Sequence, residues 1–291
     1  MDTQKYQALL QAIEAGSFSA AAAELGYTPS GISHMVEAVE NQLGLTLLRR
    51  SHAGVTLTEN GQRLLPALRE LLHAEALLLQ EAEELRGLSC GRVSIGSYSS
   101  IAAHWLPRVL CAFQEDFPGV SIQLMEGVHQ ELDSWMEQRL VDFCLYSYPL
   151  LPHCEWIPLR KDPMLAVLPP EHPLAREKAI RLEQCQGQPF IMPSRGEDYD
   201  VVNLLRECGV QPQIRFSTIE NYAAMSLVEY GLGISIMNEL ITKGRVNRVV
   251  MLPFDPPRHI VLGVAIPSQA YASPAARKMI EYIRRMLAVS T

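Results

Sequence analysis

The sequence predicts a multidomain fold: a mostly α N-terminal segment closed by a β-hairpin, one long helix, then a two-lobed α/β domain. Three observations carry this. Short helical patterns broken at glycines fill residues 1–58. Leucines recur every seven residues through 59–88. From residue 92 onward, β-like runs alternate with amphipathic helices, and most of the prolines lie there. The length of 291 residues agrees, since roughly 100–200 residues per domain gives about two domains. A chain of this size buries its cores without cross-links.

Composition excludes several classes. With 48% hydrophobic and 20% charged residues, the chain is not disordered wholesale. No run approaches the ~18 uninterrupted apolar residues of a membrane span. Met1-Asp2-Thr3-Gln4-Lys5 lacks the basic-then-apolar start of a secretory signal. A cytoplasmic location without a membrane partner is expected. Cys90, Cys111, Cys144, Cys154, Cys185 and Cys208 include no C-x-x-C pair. They are expected as small buried hydrophobes, with neither metal nor disulfide. The net charge of -7 argues, by itself, against a nucleic-acid binder.

Leu9, Leu10 and Ile13 repeat at helical spacing and stop at Gly16. Ser17 or Ser19 can cap a second helix, Ala20 to Leu25, which Gly26-Tyr27 breaks. Thr28-Pro29 then offers a capping hydroxyl followed by proline at the first helical position. Ile32, Met35, Val36, Val39 and Leu43 stripe the third helix, and Ser30, Ser33, His34, Glu37 and Asn41 lie opposite. Small Ala22, Gly26 four residues on, and Ile32 and Met35 beyond give a helix-turn-helix spacing. Many αα-hairpins share it. Two short β-like runs flank Ser51-His52-Ala53-Gly54 and form a hairpin, a wing with Arg49 and Arg50 at its base.

Gly16-Ser17-Phe18-Ser19-Ala20-Ala21-Ala22, Leu25-Gly26-Tyr27-Thr28, Ser33, Val39-Glu40, Leu43-Gly44, Arg49-Arg50 and Leu57-Thr58-Glu59-Asn60-Gly61 occur in that order. This run resembles the N-terminal domain of LysR-type transcriptional regulators. The resemblance implies a winged helix-turn-helix over 1–58 that binds double-stranded DNA, with the helix from Thr28 on the operator and the hairpin on the backbone. The DNA-contact candidates are Ser17, Thr28, Pro29, Ser30, Ser33, His34, Arg49 and Arg50. Pro29 stands where the family often has a base-reading glutamine, and Leu48 where it usually has an aromatic residue. Residues 1–58 also carry three cations, Lys5, Arg49 and Arg50, against five carboxylates, Asp2, Glu14, Glu24, Glu37 and Glu40, a net of -2. Phosphate neutralisation supplies much of DNA affinity, so few phosphate contacts per subunit are expected, and pairing of two subunits on two half-sites must add the rest.

Leu64, Leu71, Leu78 and Leu85 recur at seven-residue spacing, with Leu65, Leu72 and Leu79 beside them and Leu68 and Ala82 between. Such a seam over 59–88 predicts coiled-coil-like pairing, though the same stripe could pack on its own chain. Glu75 weakens the seam, and Pro66 is expected to kink or loosen the first turns. The resemblance implies a linker helix joining a homodimer or homotetramer.

In 92–291 the predicted strands are Arg92–Gly96, Val120–Leu124, Asp142–Tyr146, Met164–Leu168, Pro189–Ile191, Ile214–Phe216, Gly231–Ile236 and Val261–Ile266. Helices are expected from Ile101 to Glu115, Val128 to Arg139, Tyr199 to Glu207, up to Tyr230, and from Ser273-Pro274 to Leu287. Alternation of this kind suggests βαβ units and a parallel sheet. Phe117-Pro118, Val141-Asp142, His172-Pro173-Leu174-Ala175 and Val228 with Gly231-Leu232-Gly233-Ile234 resemble the family's effector domain, which is similar to type 2 periplasmic binding proteins. Lobe I is expected at about 92–163 and 266–291, and lobe II at about 164–265. Arg139 replaces a residue that is often glycine there, so a local turn change is expected.

The resemblance places a small-molecule effector between the lobes, at Ser97, Ser99, Ser100, Gly127, Val128, Ser147, Pro193, Ser194, Arg195, Thr218 and Glu220. Hydroxyls, helix N-termini and Arg195 suit a carboxylate; Glu126 and Glu220 suit a cationic or amine-bearing ligand instead. RNA polymerase is a further partner that a transcription regulator implies. No cofactor is implied. H-E-x-x-H, G-x-x-x-x-G-K-[ST] and G-x-S-x-G are missing from the sequence, and Gly231-Leu232-Gly233 lacks the third glycine of a dinucleotide fingerprint. An enzyme is therefore not expected. The alternative is a ligand-binding or protein-interaction module with weakened DNA binding.

Overall fold

The computed structural model describes residues 3–51, 54–85, 90–148, 151–194, 199–244, 248–267 and 272–288. Two compact units emerge: Met1–Leu88 with Glu137–Leu140, and Ser89–Met136 with Val141–Thr291.

The first unit contains α1 (Thr3–Glu14), α2 (Phe18–Leu25), α3 (Pro29–Leu43), a hairpin of β1 (Leu48–Ser51) and β2 (Gly54–Leu57), and α4 (Glu59–Leu85). Local chemistry sets the boundaries. Ser17 Oγ accepts from the amides of Ser19 and Ala20, so α2 starts at Phe18, two residues ahead of the expected Ala20. Gly26 closes α2 at φ +72°, a conformation that costs a side-chain-bearing residue about 1–2 kcal/mol. Thr28 Oγ1 accepts from Gly31 N, and Pro29 opens α3. Leu9, Ala12, Ala21, Ala22, Ile32, Val36 and Val39 are buried between the three helices. Burying each large aliphatic side chain among them contributes about 1.5–3 kcal/mol.

The hairpin is tied to the helices. Val55 N donates to Gly16 O at 2.8 Å. A Cβ at Gly54 would lie 2.5 Å from that carbonyl, so the close approach requires glycine. Thr58 caps α4 by accepting from Gly61 N. The helix runs on through Pro66 to Leu85 without interruption, although Pro66 leaves the Gln62 carbonyl without a helical donor.

The second unit is built on a mixed sheet. In chain order its elements are β3 (Cys90–Ser97), α5 (Ser99–His104), α6 (Leu106–Asp116), β4 (Gly119–Glu126), α7 (His129–Glu137), β5 (Phe143–Ser147), β6 (Glu155–Leu168), β7 (Pro189–Met192), α8 (Tyr199–Glu207), β8 (Gln213–Ser217), α9 (Asn221–Glu229), β9 (Ser235–Asn238), α10 (Glu239–Thr242), β10 (Val250–Pro253), β11 (His259–Ile266) and α11 (Pro274–Leu287). β3 runs parallel to β4 and β5, and β7 parallel to β8. The sheet order is β10-β6-β11-β5-β3-β4, with β9 also on β6; besides the parallel pairs expected from βαβ units, β6, β9, β10 and β11 pair antiparallel, so the sheet is mixed. β6 is one strand of 14 residues: Glu155–Pro163 lies on β11, and Met164–Leu168 on β9 and β10. It carries the chain from lobe I to lobe II.

β11 carries it back. Its residues 262–265 pair with β5 of lobe I. The expected helix 101–115 is divided at Trp105 into α5 and α6, because Pro107 has no N–H to continue the helix and sits in the first turn of the next one. Arg139 adopts φ +56°, which accounts for the local turn change expected there. Lobe I is centred on Ile95, Ile101, Phe113, Phe143, Leu145 and Met279, and lobe II on Met164, Phe190, Leu205, Ile234 and Ile236. Cys144 and Cys185 are buried, but Cys111 is exposed, against expectation.

Candidate functional site

The exposed face of α3 meets the base of the hairpin through one carboxylate. Glu37 Oε1 accepts from Ser33 Oγ at 3.0 Å and from Arg50 Nη2 at 2.9 Å. Its Oε2 lies 3.9 Å from His34 Nδ1, and the His34 side chain is 84% exposed. The Arg50 guanidinium also stacks 4.7 Å from the Phe18 ring centroid. The Arg50 hydrogen bond, then that of Ser33, holds the Glu37 carboxyl below its ordinary pKa, so it is ionised near neutrality. Arg49 is exposed on β1, opposite Thr56. At the start of α3, Thr28 Oγ1 and Ser30 Oγ are 3.1 Å apart, and Pro29 is exposed. Ser17 stands apart, its hydroxyl occupied by the α2 cap. Sequence reasoning missed Glu37 as the hub and Glu40 as the brace. Glu40 Oε1 accepts from Leu47 N at 2.6 Å and Leu48 N at 3.0 Å, fixing β1 to α3. Only the hairpin's packing on α3 creates both contacts.

In the second unit a cavity of about 250 Å³ opens between the lobes. Ser99, Ser100, Gly127, Val128, Pro193 and Glu220 line it as expected. Ser97 and Ser147 do not reach it: both are buried, with Ser97 Oγ donating to Tyr98 O and Ser147 Oγ 3.0 Å from Tyr98 Oη. Ser194 is buried, and its hydroxyl has no hydrogen-bond partner among the described residues. Thr218 does not line it; its Oγ1 accepts from Glu220 N. Arg195 lies outside the described residues.

The chemistry of the cavity comes from residues not anticipated. Tyr98 Oη lies 3.1 Å from His129 Nδ1 and 3.5 Å from Asp200 Oδ2, linking the β3–α5 junction of one lobe to α8 of the other. Buried His129 places Nε2 3.6 Å from Asp133 Oδ2, and Asp133 accepts from Tyr146 Oη at 2.8 Å. Burial, then Asp133, pushes the Tyr146 phenol well above its usual range. Four acids, Glu126, Glu131, Asp200 and Glu220, line the space, and no Lys or Arg does among the described residues. Glu131 accepts from Val128 N at 2.9 Å and Glu220 from Tyr222 N at 3.0 Å. The chain's own carboxylates therefore occupy the starts of α7 and α9, two of the helix starts expected to bind an anion, while the start of α5 carries no side-chain cap. Tyr98 stands beside Ser99 in sequence and His129 beside Val128, so adjacency alone would have suggested both. Nothing local marks Asp200.

Two family models match this chain: the LysR substrate binding domain over residues 86–288, and the bacterial regulatory helix-turn-helix protein of the lysR family over residues 3–62. The chain belongs to the LysR family. It is a DNA-binding transcription regulator with an effector-binding domain, and not an enzyme. It is similar to the HTH-type transcriptional regulator YvbU of Bacillus subtilis (strain 168), at 29% identity over 98% of this chain and 99% of that one. HinK, a LysR family regulator from Pseudomonas aeruginosa, is 25% identical, with a TM-score of 0.60 and 98% of each chain covered. Full-length CbnR, solved with its target DNA, shares the fold at 19% identity and a TM-score of 0.68, over 98% of this chain and 100% of that one.

In this LysR regulator the leucine stripe of α4 divides in two. Leu64, Leu65, Leu68, Leu71 and Leu72 pack on the core of their own first unit. Leu78, Leu79 and Leu85 are 70%, 60% and 89% exposed. Packing on its own chain therefore accounts for the first half of the stripe and leaves the second half uncovered.

Proposed function

We propose that α3 and the β1–β2 hairpin read a two-fold-related operator, that the outer half of α4 pairs two copies, and that the inter-lobe cavity takes a small effector with a cationic group. The observation that carries the DNA reading is the gathering of Ser33, His34 and Arg50 on one exposed face. Thr28, Pro29, Ser30 and Arg49 extend it; Ser17 contributes by capping α2. The three exposed leucines of α4 support homodimer pairing, which sets the spacing of half-sites. A tetramer and a contact with RNA polymerase rest on the family alone. Among the described residues no helix is long and apolar enough to cross a membrane, which agrees with work on DNA in the cytoplasm.

For the effector, the self-capped starts of α7 and α9 and four acidic linings favour an amine over a carboxylate, while Met164, Val201, Ile236 and Ile241 offer apolar walls. The test is calorimetry on the full chain with tyramine, phenethylamine, agmatine and spermidine, against 4-hydroxyphenylacetate, 3-phenylpropanoate and succinate. Binding of an amine at least ten-fold tighter than its anionic counterpart supports the charge assignment. Tighter carboxylates overturn it while leaving the cavity as the effector site. The alternative, a module with weakened DNA binding, is favoured by Glu37 occupying Arg50. It predicts no retention on any operator at low salt.

A further inference from the structure

We infer that Glu37 is a specificity-determining residue of the DNA interface: it holds Arg50 in the free protein, and on the operator it releases Arg50 to phosphate and reads a cytosine. The inference rests on α3 lying in the major groove. Glu37 sits in the middle of α3, one turn beyond Ser33 on the same face, and its side chain is 47% exposed. An ionised carboxylate there can only accept hydrogen bonds. On base edges of the major groove it is repelled by the acceptors of guanine and by O4 of thymine. Donors come only from the amino groups of cytosine and adenine, and in adenine the N7 acceptor flanks the donor. Cytosine is therefore the base that a carboxylate selects.

The partners of Glu37 make the residue a two-position device. In the free protein its Oε1 receives both Ser33 Oγ and Arg50 Nη2, and Phe18 supports the guanidinium from the other side. Arg50 lies on the hairpin, where a phosphate oxygen can take it bidentately. Exchange of Glu37 for phosphate frees the carboxylate at the moment the helix reaches the bases. A sequence without cytosine at that place leaves the carboxylate facing acceptors, so it discriminates by repulsion as well as attraction. This gives the first unit's acidic balance a role: weaker attraction to DNA in general, with selectivity retained.

The test is selection from a random duplex library by the full chain and by Glu37→Gln and Glu37→Ala, with far-UV circular dichroism as the folding control. The exposed ion pair contributes little to stability, so both variants should fold. Wild type is expected to enrich one cytosine per half-site by about ten-fold over other bases. Glu37→Gln should move that preference to adenine, the base glutamine pairs with, and Glu37→Ala should abolish it while raising affinity for unselected DNA. Identical preferences for all three proteins at every position would reduce Glu37 to a clamp and overturn the inference. Failure of wild type to enrich any site would overturn the operator reading and this inference with it.

Discussion

Glu40→Ala probes the brace that sets the hairpin on the recognition helix. One carboxylate oxygen accepts from the amides of Leu47 and Leu48 at 2.6 and 3.0 Å, and both leucine side chains are buried. Hydrogen bonds to a charged group contribute about 1.5–3 kcal/mol each. The two share one oxygen and water can reclaim part of the loss, so the expected cost is about 3 kcal/mol. At about 1.4 kcal/mol per ten-fold, amide exchange at Leu47 and Leu48 should accelerate by about two orders of magnitude. The assay carries an internal control: the three tryptophans, Trp105, Trp135 and Trp156, all lie in the second unit. Hydrogen exchange should thus change in 45–51 while the fluorescence-detected urea midpoint stays put. Glu40→Gln, which keeps a neutral acceptor, should fall between. Unchanged exchange in Glu40→Ala, or a fluorescence midpoint that drops with it, would refute the reasoning.

Three other perturbations have defined outcomes. Tyr98→Phe deprives buried Ser147 and His129 of a shared partner, which costs about 1–3 kcal/mol, so the fluorescence-detected midpoint should fall; an unchanged midpoint would discount the network. Asp162, buried and accepting from Asn238 Nδ2 and Leu240 N, has its pKa raised chiefly by burial. The folded state then keeps a proton that the unfolded state releases, so stability declines as pH rises from the ordinary carboxylate value of about 3.9 to the raised one. Asp162→Asn should flatten that part of the urea-midpoint profile, and a parallel profile would contradict it. Leu78→Lys with Leu85→Lys alters exposed positions, where stability moves by no more than about 0.5 kcal/mol. Sedimentation should show the oligomer dissociating to folded monomer, and an unchanged oligomer would move the pairing surface elsewhere.

Elements whose signals are local were legible. Thr28-Pro29 opens α3 as read and Gly44 closes it, because a cap and a left-handed glycine act within a few residues. The strand at Met164–Leu168 was found, but not its union with Glu155–Pro163, because periodicity carries no information on pairing partner or direction. For α4 a seven-residue repeat suits burial on the same chain and pairing with another, and the structure buries the stripe on its own unit as far as Leu72 and leaves Leu78, Leu79 and Leu85 exposed. The lining of the cavity was legible where it follows strand ends, as at Ser99, Gly127 and Pro193. It was illegible where it depends on long-range approach: Tyr98 to Asp200 spans 102 positions, and Glu37 to Arg50 needs the hairpin folded against α3.

We propose above that the face built from α3 and the hairpin recognises a two-fold-related DNA site. The most direct test is selection from fragmented genomic duplex by the full chain, run beside Ser33→Ala with Arg50→Ala at matched salt. Enrichment of a site with two-fold-related halves is expected, weakened in the double variant, with a salt slope reduced by about one, since about 0.9 of log K is lost per phosphate released. Equal enrichment by both proteins, or enrichment of sites without two-fold-related halves, would contradict it.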